Sequence, residues 1–137
     1  MKKPPDRDEI EWLEQWLQKG ENDLITAKLL IMRPEAPLEA LGFHAQQAAE
    51  KYLKALLVHL GIDFPRTHNL RLLVQLLPAG VSLDGVDLEK MFSLNQFAVD
   101  ERYPGDDPIL TKEMIEEALG IAEAVKVSVL TTVKGKD

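Results

Sequence analysis

Apolar residues in this chain return at every third or fourth position, with no competing alternating run, and that spacing restricts the fold to packed helices. Leu13, Trp16, Leu17, Leu24, Ala27 and Ile31 make one stripe of about five turns, so the spacing predicts a helix near 8–32. Gly20 lies on that stripe. It costs a helix about 1 kcal/mol, and a close approach by a neighbouring helix is the reading that explains it. Pro34 and Pro37 then interrupt the pattern, each removing an amide donor and disfavouring helix in the residue before it. A second helix is expected near 37–61, with Leu41, Ala45, Ala48, Ala49, Tyr52, Leu53, Leu56 and Leu60 in a wide apolar arc and Gly61 as its stop. His59 falls within that arc and reads as a packed core histidine. A short third helix near 69–77 takes Thr67 or Asn69 as its cap and ends at Pro78-Ala79-Gly80. A fourth, near 86–102, aligns Leu88, Met91, Phe92, Asn95, Ala98 and Val99 before Tyr103-Pro104-Gly105. The fifth, near 108–132, starts with Asp107 as cap and Pro108 in the first turn, and its stripe is Met114, Ala118, Ile121, Val125 and Val129. The expected architecture is all-α, an antiparallel up-and-down bundle of four to five helices. Its core should contain Leu13, Trp16, Leu17, Leu24, Leu41, Ala48, Tyr52, Leu56, Met91, Ile121 and Val125.

Composition removes several classes of function. At 137 residues, with 45% hydrophobic and 28% charged, the chain is expected to form one domain over 1–137, with short flexible termini at about 1–7 and 133–137. No apolar stretch reaches the roughly 18 residues of a membrane span, and the basic N-terminus lacks an apolar run behind it, so a cytoplasmic protein is expected. The absence of cysteine excludes disulfides, thiol catalysis and cysteine zinc sites. No His-Glu-x-x-His and no Gly-rich phosphate loop occurs, and His44 and His59 are fifteen positions apart, so neither a metal nor a cofactor is expected. A net charge of -7 argues against duplex DNA, whose binding needs a basic face, while leaving room for a local basic pocket for one nucleotide.

The second helix carries a further pattern. Phe43, Gln47, Glu50 and Lys54 stand at i, i+4, i+7 and i+11, a stripe roughly opposite the apolar arc. The plain reading is a solvated Glu50–Lys54 pair worth about 0.2–0.5 kcal/mol, with Gln47 and Lys51 in water. Phe43 argues against it, because an aromatic on a polar stripe implies contact with another helix or a second subunit.

These residues also carry a resemblance. The run Phe43-His44-Ala45-Gln46-Gln47-Ala48-Ala49-Glu50-Lys51-Tyr52-Leu53-Lys54-Ala55-Leu56-Leu57 is followed by Gly61, then by Thr67-His68-Asn69-Leu70 and by Arg102-Tyr103-Pro104. In that order, from Trp12 to the last helix, they resemble the HEPN domain of higher eukaryotes and prokaryotes. The resemblance implies an up-and-down helical bundle, usually a homodimer, often encoded beside a minimal nucleotidyltransferase and associated with nucleotide and RNA chemistry. By the same resemblance the chain is expected to be a nucleotide- or RNA-associated binding module of a two-component, toxin-antitoxin-like system.

Ribonuclease members of that superfamily carry an Arg and a His four to six residues apart, and this chain does not. Its histidines are His44, His59 and His68, none preceded by an Arg at that spacing, and the positions separated from Arg102 by four to six residues are Asp107, Pro108 and Ile109. Metal-independent RNA cleavage needs an acid or base at the 2′-hydroxyl, a role suited to histidine. Catalysis is therefore disfavoured and no catalytic residue is assigned; a divergent endoribonuclease with His68 standing in from its loop is the alternative, and a turn or capping role for His68 is the simpler reading. For binding, Lys51, Lys54, His68, Arg102 and Tyr103 are the candidate nucleotide or anion contacts. Arg102 and Tyr103 are expected at a helix end, where an Arg wants a carboxylate or a phosphate. Arg102, Tyr103, His68 and Lys54 are expected to form one polar cluster.

Overall fold

The chain is described by a computed structural model covering residues 2–4, 6–98, 103–106 and 109–135. Among the described residues five α-helices follow one another: α1 (Glu9–Ile31), α2 (Leu38–His59), α3 (Leu70–Gln75), α4 (Leu88–Ser93), which continues into a 3₁₀ turn (Leu94–Phe97), and α5 (Lys112–Val133). No strand occurs among the described residues, and the fold is the all-α bundle that the apolar periodicity requires.

α1 begins where Asp8 caps it, its carboxylate accepting from the Glu11 amide at 2.7 Å. Trp16, Leu17, Gly20, Leu24 and Ala27 form its buried seam, and Leu13 is half-buried beside them. Gly20 does what its place on the stripe suggests, because a Cβ there would sit 3.0 Å from two ring carbons of Tyr52 on α2. α1 and α2 run antiparallel, and so do α1 and α5. The ion pairs Glu21–Lys126 and Lys28–Glu123 tie an advancing α1 to a retreating α5.

α2 lies between α1 and α5 and also meets α3 and the 3₁₀ turn. It is therefore enclosed on nearly every side, and fourteen of its residues between Leu41 and Leu57 are buried. Its apolar arc packs as expected up to Leu57. His59 does not: it is exposed, the last residue of the helix, where Gly61 at φ 73° turns the chain off the core.

The later elements differ from expectation at their ends. Asn69 caps α3, accepting from the amides of Arg71 (3.0 Å) and Leu72 (3.4 Å). The helix expected near 86–102 ends early, because Leu94 and Phe97 both bury toward α2, and a 3₁₀ turn brings side chains three apart onto one side. Val99 to Arg102 lie outside the described residues. Tyr103-Pro104-Gly105-Asp106 is a tight turn, with the Asp106 amide donating to the Tyr103 carbonyl at 2.9 Å and Gly105 at φ 98°. α5 starts about one turn later than Pro108 suggests, at Lys112, because the Thr111 hydroxyl accepts from the Met114 amide and caps it there; Asp107 and Pro108 lie outside the described residues. Its seam is Ile115, Ala118, Ala122, Val125 and Val129, so Met114 is exposed and Ile121 only half-buried. Ala118, Val125 and Val129 bury as expected, while Ile115 and Ala122 take the places expected of Met114 and Ile121.

Candidate functional site

The polar stripe of α2 is not solvated. Gln46, Gln47, Glu50 and Lys54 are all buried, with Glu50 at 1% and Lys54 at 5% exposure. A carboxylate so enclosed needs donors on both oxygens, and it has them. Lys54 Nζ donates to Oε2 at 2.9 Å. His68 Nδ1 lies 2.8 Å from Oε1, and Gln47 Nε2 donates to the same oxygen at 3.3 Å. Lys54 also lies against aromatic rings, 5.3 Å from the Trp16 centroid and 5.8 Å from that of Phe64, a setting that favours a cation when water is excluded.

The network continues in both directions. Gln46 Nε2 donates to the His68 carbonyl at 2.9 Å, tying the loop before α3 to α2, and Gln47 Nε2 donates to Gln46 Oε1 at 2.6 Å. Lys51 Nζ bridges Gln47 Oε1 (3.1 Å) and Asp23 Oδ2 (3.0 Å), while Asp23 Oδ1 meets His44 Nδ1 at 2.9 Å. A continuous polar chain therefore runs from His44 through Asp23, Lys51 and Gln47 to Glu50, Lys54 and His68, joining α1, α2 and the loop 61–69.

His68 is the member of this chain that reaches water. Its side chain is 65% exposed although Nδ1 is held by an almost fully buried carboxylate. Its position is fixed from the other side by Asn95 in the 3₁₀ turn, whose Oδ1 accepts from the Leu70 amide at 3.0 Å and whose Nδ2 donates to Asn69 Oδ1 at 3.1 Å. Chemically, this is an imidazole with one nitrogen bonded to a carboxylate and the other, Nε2, on an exposed ring. Such an arrangement fixes ring orientation and suits a proton donor, a proton acceptor or a contact to an anionic oxygen.

Of the residues singled out in the sequence, the structure brings Lys51, Lys54 and His68 into one network. Lys54, expected to reach for a phosphate, is instead committed to Glu50 and shielded from water. Tyr103 does not join them; it opens the turn before Asp106 and is 81% exposed. Arg102 lies outside the described residues. Sequence reasoning missed Asp23, Gln46 and Asn95 as parts of the site. Their partners are 21 to 28 positions away, at distances no helical spacing encodes. Among the described residues no group of three His, Asp or Glu side chains is arranged to hold a metal ion.

Fold and site together define a class: an all-helical bundle whose central helix buries a Glu–Lys pair and presents a loop histidine on it. A family model for the HEPN domain matches residues 13–130, and the chain belongs to that family. Among solved structures it is similar to TT1696 from Thermus thermophilus, at 27% identity and a TM-score of 0.73, over 85% of this chain and 94% of that one. No curated protein matches it in sequence.

Proposed function

We propose that this HEPN protein is a nucleotide- or RNA-associated binding module, acting as a homodimer with a minimal nucleotidyltransferase partner in a two-component, toxin-antitoxin-like pair. The observation that carries the reading is the exposed His68 ring anchored on buried Glu50, which offers an oriented contact for a phosphate oxygen or a base edge. Membership in the HEPN family supports the ligand class, and the missing Arg–His spacing weighs against catalysis. Lys51 and Lys54 support the site from within by fixing Gln47 and Glu50; Arg102 and Tyr103 are proposed as further contacts.

Calorimetric titration of the purified protein with nucleoside monophosphates and a short single-stranded RNA tests this directly. His68→Ala should weaken binding about tenfold, the value of one charge-assisted contact, and should lower stability by only about 1 kcal/mol, since Gln47 still donates to the same Glu50 oxygen. Unchanged affinity in that variant rejects the site. Sedimentation at tens of micromolar should give twice the chain mass, and purification from the native host should bring the nucleotidyltransferase with it.

A second reading has one observation in its favour. The Glu50–His68 contact of 2.8 Å is the geometry of a histidine base steadied by a carboxylate, and Nε2 on such a ring is placed to take a proton from a ribose 2′-hydroxyl. If the protein cleaves RNA in chelator, and both His68→Ala and Glu50→Gln abolish the cleavage, the enzyme reading replaces the binding one.

A further inference from the structure

Trp16, which lies against Lys54 of the network, also lines a cleft of about 390 Å³ together with Arg7, Trp12, Gln15, Gln18 and Lys19. Trp12 and Trp16, the chain's only tryptophans, meet edge to face at 5.4 Å with 73° between their planes. Trp12 is half-buried and offers part of its ring to the cleft, whereas Trp16 is 7% exposed. The Trp16 indole N–H is buried and has no hydrogen-bond acceptor among the described residues, although a buried indole donor normally finds one. The cations on the rim are not equivalent. Arg7 is shared with Glu11 at 3.7 Å, while Lys19 is exposed and makes no ion pair among the described residues. Gln18 donates to Asn22 at 2.9 Å, which leaves its carbonyl oxygen as an acceptor, and Gln15 adds a second amide.

A stacking ring, two amides and an unpaired cation are the groups that recognise a base carrying a single phosphate. We propose that this cleft binds one nucleoside monophosphate unit, either free or within an RNA strand, with the base on Trp12 and the phosphate on Lys19. One free cation matches one phosphate; further phosphates would meet the charges of Glu11 and Glu14 on the same helix. The inference rests on the nucleotide-binding reading above and extends it. The cleft adjoins the His68 site through a chain of contacts: Trp16 lies against Lys54, Lys54 pairs with Glu50, and Glu50 holds His68.

Because both tryptophans line the cleft, intrinsic fluorescence reports it directly. Adenosine or guanosine monophosphate should change tryptophan emission saturably, with the same midpoint as calorimetry on the same sample. Trp12→Ala should weaken binding about tenfold, the usual effect of losing one stacked base. Lys19→Glu, a change on an exposed side chain that leaves the core intact, should weaken it severalfold and make it less sensitive to salt. An octanucleotide RNA run in parallel distinguishes the sources: equal affinity identifies the free nucleotide, and tighter binding by the RNA identifies the strand. Either order supports the cleft. If calorimetry detects binding that His68→Ala weakens, while emission stays constant and Lys19→Glu binds like the parent, the cleft is rejected and the function stands. If neither nucleotide nor RNA binds the parent protein, both are rejected.

Discussion

Glu50 keeps its place at 1% exposure because Lys54, His68 and Gln47 direct donors at its two oxygens. Remove the carboxylate and the ammonium of Lys54 is left in a space built for a pair. Glu50→Ala should therefore lower stability by about 3–5 kcal/mol, read as a shift in the urea midpoint with an unchanged slope. Adding Lys54→Met should recover much of the loss, since an apolar chain of similar length between Trp16 and Phe64 needs no counter-charge; a double variant as unstable as the single one would rule out the unpaired charge as the cause. The identities of these two residues, and their separation by one helical turn, were legible in the sequence. Their burial was not, because an i,i+4 pair has the same spacing whether water or another helix covers it.

At the scale of elements, two contacts set where the site-bearing pieces sit. Gly42 on α2 lets the 3₁₀ turn approach so closely that a Cβ would come within 2.5 Å of Cδ1 of Phe97. Gly42→Ala should cost about 1–3 kcal/mol net, the overpacking outweighing the roughly 1 kcal/mol gained in helix propensity; a variant more stable than the parent by thermal unfolding would show that the turn moves freely. The second contact is the Asn69–Asn95 pair at the start of α3. Asn95→Ala removes the acceptor of the Leu70 amide and should cost about 1 kcal/mol. Amide exchange should speed up at Leu70, with His68 loosened beside it, while α1 and α5 keep their protection. Asn69 was readable as a cap from its position before an apolar run. Asn95 as its partner was not, since the two meet only once the 3₁₀ turn has folded against α2.

For the molecule as a whole, Tyr52 links all three long helices: it is buried on α2, its ring lies against Gly20 of α1, and Glu123 of α5 contributes to its field. Burial first, and then the charges of Glu21 and Glu123, push its hydroxyl well above the ordinary 10.0. The folded state thus keeps the proton over a range in which the unfolded chain has lost it. This contribution to stability is complete below about pH 10 and declines as pH rises past it. The thermal midpoint should fall more steeply above pH 10 in the parent than in Tyr52→Phe, which has no proton to lose; parallel profiles for the two would contradict the burial effect.

What the sequence determined by itself was the set of helices, because apolar spacing and cap chemistry are local properties of the chain. Asn69 as a cap, the place of Gly20 on the α1 stripe and the first three helices follow from residues within a few turns of one another. The family, too, was legible, in the Gln-Gln-Ala-Ala-Glu-Lys run of α2 and the Thr-His-Asn before α3. Tertiary structure alone decided that α2 is enclosed on both sides, which turned a stripe that reads as solvated into a buried network. It decided that His59 faces water although its angle on the helix points to the core. It also decided that Lys54 is spent on Glu50 while His68 is held at the surface, because burial depends on which neighbours arrive, and those neighbours, Asp23 on α1, Trp16, Phe64 and the loop before α3, come from distant parts of the chain.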